Sequence, residues 1–499
     1  RLIPLESLKD RVVAKLCEYA ECRFDYDQAE FFLLPAPHVV VSQVRIAVPG
    51  RLSGTVRSLS LFPRVLPLFS GRIEVAKLRF SSPDLDITLN QDPTPAEERQ
   101  PEVFPAPYSG AGMQRAVKSF AEQLGEVHLQ VEQGGLRIQE EARSLLSLTG
   151  LSADIALLRE NLTVEAECRS DLWERLKLKG SFAPGESKGK GRMILDRLRA
   201  QTLARYLPPD APKPTGDSPI SLDLSFSSEG PETFSATVKC FSPALTLRMG
   251  DEEAGFKDPV LTGTIRATAG RFEIREARLT MEDPRLTLSG RFLSDTRSSE
   301  VSYHLECTDT DAGSVREAAL ALAGKIEVVQ DVFQVLRGGW VPLATFDGHA
   351  ASTEGLQRTE SLLVCGSLRD GGISIPKVDL SVNAANGDVL ISKGILEGRN
   401  LRGQAAASTG RNGSLTVALG DNEGPFHLDI EIDADLVQLP PVLARAVSDQ
   451  VFLRELDLVQ IIEGRANGRL VLDNSSGETQ TAVEVNEWDL KGSYQRFPF

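Results

Sequence analysis

Aromatic residues are scarce: this chain of 499 residues holds 3 Trp, 6 Tyr and 21 Phe. Trp173, Trp340 and Trp488 stand far apart, so no cluster of rings is available for stacking bases or sugars. The five histidines (His38, His128, His304, His349, His427) are equally dispersed, with no HExxH and no His–Cys grouping. The six cysteines (Cys17, Cys22, Cys168, Cys240, Cys307, Cys365) contain no CxxC. They read as small apolar side chains, with Cys17 and Cys22 close enough to bridge in an oxidising compartment. Lys plus Arg is 55 against 70 Asp plus Glu, a net charge of −15, and no basic stripe interrupts it. Such a balance argues against a nucleic-acid partner. No window approaches the roughly 18–20 apolar residues that span a bilayer. GxSxG, a P-loop and a strand–GxGxxG–helix unit are all missing. These absences leave no catalytic residue, cofactor or metal site to nominate, and a non-enzymatic protein is expected.

What is present is alternation. Ile220, Leu222, Leu224 and Phe226 interleave with Ser221, Asp223, Ser225 and Ser227, and Phe426, Leu428, Ile430 and Ile432 interleave with His427, Asp429, Glu431 and Asp433. Phe234–Cys240, Leu245–Met249, Leu286–Phe292 and Val301–Cys307 behave alike. Successive strand side chains point to opposite faces, so each run carries one apolar and one wet face. Counting such runs predicts about twenty strands joined by tight turns, as Asn-Gly and Gly-Gly pairs usually mark. Gly134-Gly135, Asn386-Gly387 and Asn412-Gly413 are read as those turns, and Lys188-Gly-Lys190-Gly as another. The expected fold is mainly β: an elongated, curved antiparallel sheet of meanders, with a few short helices capping or covering it. Loose recurrence of strand–turn–strand grammar, as in 263–290, 372–403 and 464–472, suggests a sheet that grows by adding hairpins.

Helical stripes are few. They fall at Leu5–Ala20, at Met113–Leu124, in the Ala- and Val-rich stretch 315–336 broken by Gly324, and in a short piece near 441–447 opened by Pro441. Pro-rich segments at 90–112 and 207–219 read as loops. Three segments result: 1–90, 91–310 and 311–499. Asp309-Thr-Asp311-Ala-Gly313 begins like a calcium loop, but its spacing to Glu317 is wrong, and a helix cap is the simpler reading. The same-face carboxylates Asp429, Glu431, Asp433 and Asp435 read as a solvated side rather than a cation site.

One stretch is more specific. Phe31-Phe32-Leu33-Leu34-Pro35 precedes the strand Val39–Val48, followed by Leu66-Pro-Leu-Phe69-Ser-Gly71-Arg-Ile73-Glu-Val75 and Leu78-Arg-Phe80-Ser-Ser-Pro83-Asp-Leu85-Asp-Ile87. This string resembles the N-terminal region of the AsmA family of the Gram-negative envelope, and the later Leu-x-Gly hairpins resemble its repetitive body. The first ninety residues carry most of the likeness. The resemblance implies a periplasmic, groove-like sheet, tethered to the inner membrane by a helix upstream of Arg1. Its concave apolar face would shield acyl chains while phospholipid moves toward the outer membrane, with further envelope proteins as partners.

The expected groove lining is Leu222, Leu224, Phe226, Val238, Leu245, Leu247, Leu286, Leu288, Leu305, Leu428, Ile430 and Ile432. A second expectation keeps the same architecture but packs it shut, as a scaffold for outer-membrane biogenesis. A third, an envelope enzyme or carbohydrate-binding β protein, would need clustered aromatics or paired acids that the sequence lacks.

Overall fold

The computed structural model describes residues 23–34, 36–48, 52–69, 74–89, 126–140, 143–158, 161–183, 186–208, 211–230, 232–353, 355–357, 361–375, 380–418, 425–438, 450–473, 480–495 and 497–498. The expected helices at 5–20, 113–124 and 441–447, the loop 90–112 and the pair Cys17/Cys22 lie outside them. The protein is mainly β, with 28 strands among the described residues rather than about twenty, and few short helices. The sheet is mixed and does not close into a barrel. None of the described helices is long and apolar enough to cross a membrane. The chain forms two units: 1–202 with 219–241 and 264–269, and 203–218 with 242–263 and 270–499.

In the first unit each strand adds to the last. His38–Val48 pairs with Leu52–Pro63, which pairs with Val75–Leu89. Val75–Leu89 then runs parallel to Val127–Glu140, which corrects the all-antiparallel expectation. A parallel neighbour needs a crossover of a dozen or more residues, and the chain between Leu89 and Val127 has that length. Antiparallel pairing resumes through Arg143–Leu158, Asn161–Ser170, Arg175–Ala183, Lys188–Arg199, Pro219–Gly230 and Thr233–Phe241. This unit holds a cluster of buried residues: Val39, Val41, Val44, Val56, Leu59, Leu61 and Leu78. Cross-strand register stacks them, with Val39 opposite Leu61, Val41 opposite Leu59, and Leu61 opposite Leu78. Tyr26, Phe31, Phe80 and Leu129 pack around the cluster.

The second unit contains an antiparallel meander of Arg271–Met281, Leu286–Asp295, Glu300–Asp311, Leu336–Ala350, Leu362–Ile375, Leu380–Ser392, Ile395–Ala405, Ser408–Ala418, Phe426–Asp435, Val459–Asp473 and Gln480–Tyr494. It also contains a separate three-stranded sheet of Lys213–Thr215, Ala244–Met249 and Glu252–Lys257. The expected loop 207–219 therefore includes a strand. The stretch 315–336 folds as two helices, Ala312–Ala323 and Glu327–Val335, parted at Gly324 as expected. Asp311 caps the first, accepting from the Gly313 N–H (3.1 Å) and the Ser314 hydroxyl (2.6 Å).

The turn assignments need correction. Gly134-Gly135, Asn386-Gly387 and Asn412-Gly413 all sit inside strands, at points where the register shifts. Lys188-Gly-Lys190-Gly likewise opens a strand paired on both sides. A bulge and a turn both recruit residues that tolerate positive φ, and Asn412 has φ +52°. With strands of 11–14 residues here, such residues serve the bulge.

Candidate functional site: the apolar sheet faces

Residues paired in register share a face of a sheet, so the apolar face can be followed strand by strand. In the first unit Leu224 lies opposite both Met193 and Val238, and Leu222 opposite Leu195 and Cys240. Phe226 lies opposite Gly191 and Ala236. A Cβ on Gly191 would come within 2.5 Å of Cζ of Phe226, so the glycine leaves space for that ring. Four of the expected lining residues are thus brought together.

In the second unit one row runs Leu279, Leu288, Cys307, Ala344, Gly366, Val389, Gly398, Leu415, Leu428, Leu472. The next runs Ala277, Gly290, Leu305, Phe346, Val364, Ile391, Leu396, Val417, Phe426. Leu288 and Leu428 therefore belong to one row, and Leu286 extends the face beside Met281. Ile430 pairs with Leu470, and Ile432 with Gly468. At about 4.8 Å per strand, ten strands carry this surface over roughly 43 Å.

Leu245 and Leu247 are the exception. They lie in the separate three-stranded sheet, where helix Ala312–Ala323 packs against their strand, and do not join these rows. Val389, Ile391, Leu396, Leu415 and Val417 were missed as lining; alternation in 413–418 signals the last two, whereas 389–396 holds consecutive apolar residues that do not mark a face.

None of the twelve expected residues is fully buried; all are half-buried. The rows end on Gln480–Tyr494, where Val483, Val485 and Trp488 face the same side, opposite Leu470, Gly468 and Ala466. These three are 63%, 49% and 67% exposed. A two-layer core would bury them.

The opposite faces are wet and cross-linked by charge. Arg469 donates to Asp429 (2.7 Å), Arg411 to Glu431 (3.1 Å), and Arg192 to Asp223 (2.6 Å). The guanidiniums hold the Asp429 and Asp223 carboxyls below the usual range. The aspartates thus serve ion pairs, and no metal-holding group of acids, His and Cys occurs among the described residues. Exposed pairs of this kind contribute only about 0–1 kcal/mol each. Burial pushes up the thiols of Cys168, Cys240 and Cys307, so they are weak nucleophiles.

Glu273 differs from these surface acids. Its side chain is 10% exposed, and it is shared by Arg271 and Arg275, whose Nε atoms each donate at 2.6 Å. Burial works to raise its carboxyl, and the two guanidiniums outweigh it, holding it below the ordinary 4.5. The stabilisation is present above that ordinary value and is lost as pH falls through the lower folded one. Glu273→Gln is expected to cost about 1–3 kcal/mol at pH 7. It should also flatten the acid limb of stability below pH 4.5, read by urea denaturation across pH. An unchanged acid limb would show that the pair contributes nothing.

Compared with known proteins, the chain matches no family model and no curated protein.

Proposed function

We propose that this protein handles lipid without catalysis: its apolar sheet faces shield acyl chains, supporting phospholipid movement between the membranes of a Gram-negative envelope. The observation that carries this reading is the continuous, half-buried apolar face of the second unit, ending in Val483, Val485 and Trp488. Each CH₂ moved from water onto such a surface gains about 0.8 kcal/mol. A trough of side chains thus lowers the barrier to moving an acyl chain without any reactive group. The periplasmic setting and tethering by an upstream helix follow from the resemblance of the first ninety residues to the AsmA family.

The protein purified from envelope fractions is expected to show phospholipid mass adducts by native mass spectrometry. Ile430→Arg, on a half-buried position of the face, should remove those adducts while circular dichroism stays unchanged. A protein free of phospholipid, together with an Ile430→Arg variant that unfolds, would instead support the self-packed scaffold.

A further inference from the structure

The wet face of the second unit holds a concavity of about 650 Å³ that the apolar-face reading does not use. It is lined by Arg271, Arg275 and Arg291 with His304 and His349, against the carboxylates of Glu273 and Asp347. The lining sets three arginines against two carboxylates, with Glu300 3.8 Å from His349 and Asp295 in register with Arg271 at its border.

The arrangement is built, not incidental. Between the pairs Ile274/Phe292 and Ala277/Gly290 the register shifts, so Arg275 and Glu276 together oppose Arg291. Glu276 sits at φ +52°. This bulge sets two cations, Arg275 and Arg291, across from one another. Like charges facing across strands destabilise a sheet unless something negative lies between them. Glu273 is occupied: each of its oxygens takes one guanidinium, from Arg271 and from Arg275. Asp347 is engaged by Nδ1 of His304 at 2.6 Å. Asp295, in register with Arg271, accepts from the backbone N–H of Arg297 at 2.9 Å. The Arg291 side chain has no hydrogen-bond or ion-pair partner among the described residues. Each of the two paired arginines still has unused N–H donors, because a guanidinium carries five.

We propose that this concavity binds a phosphate oxyanion, seated between Arg275 and Arg291. A phosphate suits the site because guanidinium forks match its oxygens bidentately. The inference is independent of the apolar-face reading and would stand if that reading failed.

The test titrates inorganic phosphate into the full chain at low ionic strength, by calorimetry and ³¹P NMR. A second arm measures co-sedimentation with phosphatidylglycerol–phosphatidylcholine vesicles. Saturable phosphate binding that weakens at least tenfold in Arg291→Gln, partly recovers in Arg291→Lys and is unchanged in Arg399→Gln supports a free phosphate ligand. Vesicle binding with the same Arg291 dependence, without binding of inorganic phosphate, assigns the site to a lipid headgroup. No binding in either arm, or binding indifferent to Arg291→Gln in a variant with the wild-type melting curve, overturns the proposal.

Discussion

Leu59→Ala is expected to cost about 2–5 kcal/mol, the range for emptying a fully buried leucine site. Leu59 is 2% exposed, opposite Val41 at 1% and beside Phe80 on the next strand. Its neighbours Val39, Val44, Val56 and Leu61 are equally enclosed, so little can collapse into the void. The contrast with Leu224→Ala is the informative part. Leu224 is half-buried on an apolar face, and its truncation should cost less, about 1–2 kcal/mol, since part of its side chain still meets solvent and no enclosed cavity is left behind. Urea denaturation of both variants, with amide exchange to localise the loss, measures the difference. Equal losses would mean that the face around Leu224 is packed as tightly as the cluster around Leu59, and a lipid-accepting surface there would be untenable.

The second large effect is expected from Gly339→Ala, at about 2–4 kcal/mol. Gly339 has φ +121°, a conformation that L side chains rarely adopt. A Cβ there would lie 2.5 Å from the Cα of Gly371 and 3.0 Å from its nitrogen. Both obstacles are backbone, so no side-chain rotation relieves them. The position lies at a register shift between Leu336–Ala350 and Leu362–Ile375. Those two strands carry Phe346 and Val364 into the second apolar row, so loss of their pairing should disturb that row as well. Gly372→Ala is the matched control: its Cβ would meet only Arg337 Cβ at 3.6 Å and the Gly338 nitrogen at 3.8 Å, ordinary contacts. Thermal melting that shows equal losses for the two variants would remove the steric argument.

Much of the strand content was legible because period two is a local property. Pro219–Gly230 and Phe426–Asp435 alternate so regularly that face and register parity can be read directly. Helix Ala312–Ala323 was legible for the same local reason, with its Asp311 cap and Gly324 break. The glycine pairs misled because a glycine serves a bulge or the close approach of a neighbouring side chain, as Gly387 does beside Leu401, as well as a turn, and only strand pairing tells them apart. Leu245 and Leu247 misled because alternation reports that a strand has an apolar face, not which sheet it joins. The concavity around Arg291 was invisible: Arg275, Arg291, His304 and Asp347 are spread over four strands, and nothing in their spacing marks them as neighbours.

By itself, then, the sequence determined a mainly β chain with one greasy and one wet side to most strands, since side-chain direction in a strand depends only on position along it. Tertiary structure decided which strands meet, including the parallel step from Val75–Leu89 to Val127–Glu140, the in-register rows that join Leu288 to Leu428, and the placing of Arg275 across from Arg291. Those features depend on hydrogen bonds and contacts between residues far apart in the chain, whose energies no local pattern records.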